Sequence, residues 1–269
     1  MNGALLDEAD ARIRVADHGL VVGDGVFEAL KVRDGVPFAL TRHLQRLRRS
    51  ALGLGLGEIG LEEIRRGSLE VCAAGGSRLG RLRITVTGGI SPLGSERGGG
   101  PLTTVIALDD LSEPSPVADV MMAPWRRNEH GALTGLKTTS YAENVRALAY
   151  AHERGGSEAV FANTAGNLCE GTGTNVFVVT GGRLVTPPLS AGCLAGITRA
   201  LLLEWHGGEE ADLPAGALAE AEEAFLTSTG RDVQAIRSVD GRQLPTAPGP
   251  VTRKAAEVFA QRAAENPDP

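Results

Sequence analysis

Apolar and polar positions in the first third of the chain follow two periods, one typical of strands and one of a helix. VFEALKVRDGVPFAL (residues 26–40) holds strand-like runs on either side of RDG, which predicts a β-hairpin. RIRVADHG (residues 12–19) predicts a further strand. Leucines then recur near helical spacing and predict a helix with Thr41 as its N-cap. These leucines are Leu40, Leu44, Leu47 and Leu54.

A change in composition predicts two domains. GRLRITVTGG and LTTVIALDD predict strands on either side of a glycine-rich loop, and the stretch LSEPSPVAD that follows is polar and rich in proline, as linkers are. We therefore expect three parts. They are a small N-terminal domain (residues 1–112), a linker (residues 113–120) and a larger C-terminal domain (residues 121–269).

The second part of the chain mixes one helix with several strands. YAENVRALAYAHERGG predicts the helix, and EAVFAN, NVFVVTGGRLVTP and EAFLTST predict the strands. The turns TGG and VDG favour antiparallel or mixed pairing over a strict alternation of strand and helix. The expected fold class is α+β in two domains.

Composition and charge indicate a globular protein that binds a small molecule. The hydrophobic fraction of 42% and the charged fraction of 22% are ordinary for a globular chain. No apolar run approaches the roughly 20 residues of a membrane helix and no signal layout is present, so we expect a cytoplasmic protein. A net charge of -6 argues against nucleic acid or an anionic membrane as partner. Because the five histidines and three cysteines lack ligand spacing, we expect no metal site.

One lysine stands out in a chain that prefers arginine. Only three of the 27 basic residues are lysines, and Lys137 lies among small polar residues in TGLKTTSYAEN. A lysine amine can condense with a carbonyl, which a permanently charged guanidinium cannot do. Taken alone, such a lysine is more often a surface residue at the start of a helix. Lys137 is a candidate covalent catalyst if other segments supply groups for the same ligand.

Further segments supply such groups. Glu170 precedes small residues that let a flat ring approach the backbone, and a carboxylate there can hold a protonated ring nitrogen. Ile197 and Thr198 begin an apolar helix, where amides bind phosphate, and Arg46 can add charge to the same phosphate. An incidental turn glutamate and a plain helix cap are the structural alternatives. Together, an amine for an aldehyde, a carboxylate for a ring nitrogen and donors for a phosphate describe pyridoxal 5'-phosphate.

Six motifs occur in an order that resembles the class IV, or fold-type IV, pyridoxal-phosphate enzymes, which include branched-chain aminotransferases, D-amino-acid aminotransferases and aminodeoxychorismate lyases. The motifs are GDGVFEALKV, HLQRL, KTTSYAEN, EGTGTNVF, GITR and TSTGRDV. They span residues 23–233, nearly the whole chain. The resemblance implies a small N-terminal α/β domain, a larger C-terminal domain with a barrel-like sheet, and a homodimer.

The same resemblance implies roles for individual residues. Lys137 forms the internal aldimine with the cofactor and moves the proton, and Glu170 pairs with the ring nitrogen. Leu194 packs against the cofactor ring, and Asn175 matches an asparagine in the turn after the glutamate. The residues implied for the phosphate are Arg46, Ile197, Thr198, Ser228 and Thr229. Those implied for the substrate are Phe27, Lys31 and Arg97.

The motifs favour a transaminase that moves the amino group of a D-amino acid to a 2-keto acid. Glu28 and Lys31 match the D-amino-acid pattern, but Leu93 stands where that pattern has the arginine that binds the substrate carboxylate. We expect Arg97 to replace it, in a less rigid pocket that also accepts (R)-amines.

Three other functions stay open. The first alternative is 4-amino-4-deoxychorismate lyase, which gives 4-aminobenzoate and pyruvate. An L-branched-chain aminotransferase is third. A carrier without turnover is the non-enzymatic alternative, and it would have no need of a ring-nitrogen carboxylate.

Overall fold

The computed structural model describes residues 1–76 and 78–269, and its contacts divide the chain into two compact units. Unit 1 consists of Met1–Ser112, Leu136–Tyr141 and Asn266–Pro269. Unit 2 consists of Glu113–Gly135 and Ala142–Glu265. Two short segments that the sequence placed in the C-terminal domain, one of them holding Lys137, therefore belong to unit 1.

Unit 1 is built on a four-stranded antiparallel sheet with the strand order β2-β1-β3-β4. The strands are β1 (Gly25–Arg33), β2 (Val36–Pro37), β3 (Leu79–Thr87) and β4 (Thr103–Asp110). The β1–β2 pair is the hairpin predicted at RDG. The expected strand at RIRVADHG is wrong: Ile13 and Val15 are exposed, so no apolar face there is covered by a partner.

Three helices accompany this sheet. They are α1 (His18–Val21), α2 (Leu40–Leu54) and α3 (Leu61–Gly75). The leucine stripe of α2 packs with Leu30 and Leu82 in the apolar core, as the helical spacing predicted. The predicted N-cap is wrong, because the helix begins after Ala39, and Thr41 instead binds the Asp268 carboxylate through its amide and its hydroxyl.

Unit 2 contains a nine-stranded mixed sheet with the path β10-β9-β8-β11-β12-β5-β6-β7, to which β13 adds beside β12. Its strands are β5 (Val117–Arg127), β6 (Glu158–Asn163), β7 (Leu168–Gly171), β8 (Asn175–Thr180), β9 (Arg183–Thr186), β10 (Glu209–Glu210), β11 (Glu223–Ser228), β12 (Asp232–Val239) and β13 (Arg242–Gln243). The end of the expected linker, Val117–Val120, is part of β5. The predicted TGG and VDG turns join β8 to β9 and β12 to β13.

The helices of unit 2 are α4 (Ala142–His152), α5 (Ile197–Trp205) and α6 (Pro250–Glu265). α4 is the predicted helix, and its buried Ala147 and Ala151 pack with Phe161 of β6. The α+β fold class is confirmed. Throughout the two described ranges, no helix is long and apolar enough to cross a membrane.

Candidate active site

The segment that carries Lys137 lies along the edge of β1. The amide of Phe27 donates to the carbonyl of Lys137 (3.0 Å), and the amide of Thr139 donates to the carbonyl of Gly25 (2.8 Å). On the other side, the amide of Lys137 donates to Ser50 Oγ (3.1 Å) in α2. These backbone bonds fix the position from which the lysine side chain projects.

Aromatic rings surround the Lys137 amine. Its Nζ lies 4.3 Å from the centroid of the Phe27 ring and 5.7 Å from that of Tyr141. The two rings contact each other edge to face, with centroids 5.3 Å apart. Such packing holds the amine at a defined place while leaving its chemistry intact. The structure therefore brings two predicted residues, Lys137 and Phe27, together.

The side of the small sheet to which Phe27 projects also carries three basic residues. Alternate residues of β1 share one face, so Phe27, Ala29 and Lys31 project to the same side. In β3, Arg83 pairs with Ala29 and Arg81 with Lys31, which places both arginines on that side as well. We call Lys31, Arg81 and Arg83 the basic face. Arg83 is exposed overall, but its Cζ lies 3.9 Å from the centroid of the Phe27 ring, and partial desolvation of the guanidinium lowers the Arg83 pKa.

The opposite face of β1 carries a fully buried carboxylate, Glu28. Arg46 donates to both of its oxygens at 2.7 Å, and His43 Nδ1 lies 2.6 Å from Oε2. Burial alone would raise the Glu28 pKa, but Arg46 and His43 outweigh it and lower the pKa to about 2. Burial lowers the pKa of His43, so its neutral ring donates from Nδ1. Arg46 thus has a partner that the sequence did not predict, and its phosphate role stays a prediction.

The structure gives Arg97 partners other than a substrate. Its guanidinium donates to both oxygens of Asp24 and to the carbonyls of Leu54 and Gly55. Hydrogen bonding to Arg97 lowers the Asp24 pKa. His18 joins this cluster through Nδ1, 2.8 Å from Asp24 Oδ2. Because every donor atom of the guanidinium is used within unit 1, this arrangement differs from the predicted substrate contact.

In unit 2, Glu170 lies on the short strand β7 with its carboxylate held from two sides. Its Oε2 accepts a hydrogen bond from the amide of Leu194 (2.8 Å), and Arg127 Nε lies 3.6 Å from its Oε1. Asn175 in turn donates to the carbonyl of Leu194 (2.9 Å). The structure therefore connects three residues that the motifs had singled out: Glu170, Asn175 and Leu194.

The predicted phosphate donors of unit 2 lie on two elements that pack together. Ile197 and Thr198 are the first residues of α5, whose N-terminal amides point out of the helix. Ser228 ends β11, the strand against which α5 packs, and Thr229 follows it. The turn before α5 is tight, since a Cβ at Gly196 would come within 2.0 Å of Asn175 Oδ1.

Comparison with known proteins agrees with this arrangement. The family model "Amino-transferase class IV" matches residues 25–239. A Methanocaldococcus jannaschii chain, provisionally named a branched-chain-amino-acid aminotransferase, is 33% identical over 271 residues, which cover 96% of this chain and 94% of the relative. The chain belongs to the class IV aminotransferases.

Two further relatives refine the comparison. A bifunctional aminodeoxychorismate lyase and D-amino acid transaminase of Mycobacterium tuberculosis is 30% identical over 294 residues, covering 97% of this chain and 95% of that protein. The pyridoxal-phosphate-bound structure of an aminotransferase described as hypothetical, also from Mycobacterium tuberculosis, superposes with a TM-score of 0.85 at 26% identity, covering 98% and 96% of the two chains.

Class IV aminotransferases depend on pyridoxal 5'-phosphate, and the donor set found here suits that group. The chain offers an amine beside aromatic rings, an oriented carboxylate, and helix-start amides with neighbouring hydroxyls. These match the aldehyde, the ring nitrogen and the phosphate in chemical type.

Sequence reasoning missed three residues that contact residues singled out by the motifs: Arg83 beside Phe27, Arg127 near Glu170 and His43 on Glu28. Arg83 and Arg127 belong to a set of arginines that no spacing separates from surface residues. His43 stands inside HLQRL, three residues before Arg46, and that helical spacing was a usable signal that both side chains reach one partner.

Proposed function

We propose that this class IV aminotransferase moves the amino group of a D-amino acid to a 2-keto acid. One observation carries the proposal: the Lys137 amine and the Arg83 guanidinium both lie over the ring of Phe27. A reactive amine beside a fixed cation suits a substrate that carries a carboxylate next to its reacting carbon.

Each group of the chain has a distinct role in this proposal. Pyridoxal 5'-phosphate, when bound, supplies the electron sink that acidifies the substrate α-hydrogen. Lys137 binds the cofactor aldehyde and then moves the proton of the substrate at its amine. Glu170 holds the protonated ring nitrogen. Ile197, Thr198, Ser228 and Thr229, with Arg46, bind the phosphate, and Leu194 packs against the ring.

The substrate class follows from the basic face. Lys31 is buried, and Arg83 lies beside the Phe27 ring. These two cations suit the carboxylate of an amino acid or keto acid, whereas an (R)-amine has no carboxylate for them to bind. This assigns the carboxylate to Arg83 and Lys31, with Phe27 below the substrate, in place of the contact predicted for Arg97. The D-amino acid transaminase activity of a relative at 30% identity supports the choice of donor.

The second candidate is 4-amino-4-deoxychorismate lyase. That substrate carries two carboxylates, which three cations on one sheet face can accommodate. The bifunctional relative also joins this activity to D-amino acid transamination in one chain. Both reactions begin with the same removal of a proton by Lys137, so one site can serve either.

A half-reaction experiment tests the proposal. Purified protein loaded with pyridoxal 5'-phosphate is mixed separately with D-alanine, L-leucine and an (R)-arylamine, and the loss of cofactor visible absorbance and the keto product are followed. Bleaching by D-alanine supports the D-type transaminase. Bleaching by L-leucine alone favours the branched-chain activity. No reaction with any of the three, from a protein that retains cofactor, overturns transamination and makes aminodeoxychorismate the next substrate.

A further inference from the structure

Arg127 is the last residue of β5 in unit 2. Its guanidinium lies over the buried ring of Phe161, with Cζ 4.2 Å from the ring centroid. Neighbouring Arg126 is exposed, although both stand in the same strand. The burial of a guanidinium costs free energy unless an opposite charge or hydrogen bonds compensate it, so we expect Arg127 to have such partners.

The outer nitrogens of Arg127 are fixed by the start of α4. Nη1 pairs with the Glu143 carboxylate, and both Nη1 and Nη2 lie 3.3 Å from Asn144 Oδ1. Asn144 is itself anchored, since its Nδ2 donates to the carbonyl of Thr172 (2.5 Å). Ring and helix together leave the guanidinium little freedom to rotate.

The inner nitrogen of Arg127 points toward Glu170. Nε is buried and has no hydrogen-bond partner among residues 1–76 and 78–269, and it lies 3.6 Å from Glu170 Oε1. The other carboxylate oxygen, Oε2, is held by the Leu194 amide. A buried donor without a partner is costly, and a small turn of the Glu170 carboxylate would satisfy it.

Two buried thiols lie beside this pair. Cys169 and Cys193 flank Glu170, and burial raises the pKa of both thiols, that of Cys193 to about 12. Both therefore stay protonated. The protonated thiols add no charge beside Glu170, and the Arg127 cation at 3.6 Å favours the ionised form of its carboxylate.

We propose that Arg127 is the positioning residue for Glu170. It keeps the carboxylate ionised and orients it toward the ring nitrogen of the cofactor, so that the shared proton stays on the nitrogen. This inference rests on the proposed role of Glu170. Arg127 acts through Glu170 and does not itself touch the cofactor in this assignment.

The test compares two cofactors in the loaded protein. One is pyridoxal 5'-phosphate, and the other is its 1-deaza analogue, in which carbon replaces the ring nitrogen. Release of each is timed by loss of bound absorbance from the wild type, Arg127→Ala, Arg127→Lys and the matched control Arg126→Ala. The analogue has no ring nitrogen for Glu170 to hold, so a positioning role affects only the natural cofactor.

We expect Arg127→Ala to release pyridoxal 5'-phosphate about tenfold faster than the wild type and the deaza analogue less than about twofold faster, as the loss of one charge-assisted contact implies. Arg127→Lys restores part of the difference because it keeps the charge, and Arg126→Ala leaves both rates unchanged.

Equal acceleration of the release of both cofactors, or of neither, overturns the inference while leaving the proposed function standing. A wild-type protein that binds no pyridoxal 5'-phosphate overturns both. If Arg127→Ala fails to fold, the same comparison is made with Arg127→Lys.

Discussion

Arg97 and Asp24 form a two-point ion pair, with Arg97 Nε 2.8 Å from Asp24 Oδ2 and Nη2 2.5 Å from Oδ1. The same guanidinium donates to the carbonyls of Leu54 and Gly55 at the end of α2. Arg97 therefore ties the glycine-rich loop between β3 and β4 to the start of β1 and to a helix end. A loop rich in glycine has high conformational freedom, and this contact restricts it.

Arg97→Ala is expected to free that loop. The variant loses four hydrogen bonds from one side chain, so backbone amides around Ser91–Glu96 should exchange with solvent several-fold faster. Hydrogen–deuterium exchange read by mass spectrometry checks this. Glu96→Gln, an exposed change in the same loop, is the control. Unchanged amide exchange in Arg97→Ala would contradict the proposed restraint of the loop. If the exchange is unchanged and the KM for D-alanine alone rises, the result would instead support the contact between Arg97 and the substrate that the sequence predicted.

His18 makes the stability of this cluster depend on pH. The hydrogen bond to Asp24 is the main cause that raises the His18 pKa, with help from the carbonyl of Gly94, 2.8 Å from Nε2. A histidine with a raised folded pKa contributes stability fully below its unfolded value of 6.5 and loses it as the pH rises through the folded pKa. The lowered pKa of Asp24 keeps that carboxylate ionised over this window.

The free energy of unfolding should therefore fall more steeply above about pH 6.5 in the wild type than in His18→Gln. Urea denaturation at several pH values measures the difference between the two slopes. His152→Gln, which alters an exposed histidine at the end of α4, should follow the wild type. Parallel curves for wild type and His18→Gln would show that the contact does not carry this dependence.

The buried Glu28 cluster should dominate the acid sensitivity of unit 1. Removing the carboxylate takes away both oxygens to which the buried Arg46 guanidinium donates, so Glu28→Ala should lower the free energy of unfolding by about 3–5 kcal/mol. The Glu28 pKa is lowered to about 2 from an unfolded value of 4.5, so its contribution is present above pH 4.5 and is lost as the pH falls toward 2.

Chemical denaturation at neutral and acid pH measures both effects. Glu58→Ala is the matched control, since Glu58 forms an exposed pair with Arg48 and such pairs contribute less than about 1 kcal/mol. A loss for Glu28→Ala no larger than that for Glu58→Ala would refute the assignment of Glu28 as a buried stabilising partner.

The sequence predicted those parts of the molecule in which a period has a physical cause. The leucines of α2 recur at helical spacing because one stripe packs on the sheet, and TGG marks a turn because strand twist requires it. RIRV (residues 12–15) alternates polar and apolar residues as a half-buried strand does, but its Val15 is 84% exposed. A period predicts a local conformation, but it does not show whether another element packs against the apolar face.

The site shows the same limit. Lys137 and Glu170 were predicted because several segments together supply groups for one ligand, although each residue alone has a commoner structural use. Arg83 reaches Phe27 only through the register that pairs it with Ala29, and Arg127 reaches Glu170 only through the path of β5. The sequence did not reveal the partners of Arg97, because Asp24 and the end of α2 lie 42–73 residues away.

Arg83→Ala should weaken the binding of carboxylate-bearing donors selectively. The guanidinium lies over Phe27, and the loss of one charge-assisted contact should raise the KM for D-alanine about tenfold. An (R)-arylamine has no carboxylate, so its half-reaction rate should stay within about twofold of wild type. Single-turnover kinetics with both donors measures this, and cofactor content is checked on the same samples. An equal loss for both donors would assign Arg83 a role in packing Phe27.

Lys137→Arg separates the charge of the lysine from its chemistry. The variant keeps a cation near Phe27 and Tyr141, but a guanidinium cannot condense with an aldehyde. We expect turnover to fall by at least about 10³-fold and the visible absorbance of covalently held cofactor to disappear. Lys254→Arg, the same change at an exposed position of α6, should keep both. A Lys137→Arg protein that stays coloured and active would move the covalent role to another amine, and the remaining lysines, Lys31 and Lys254, would be tested in turn.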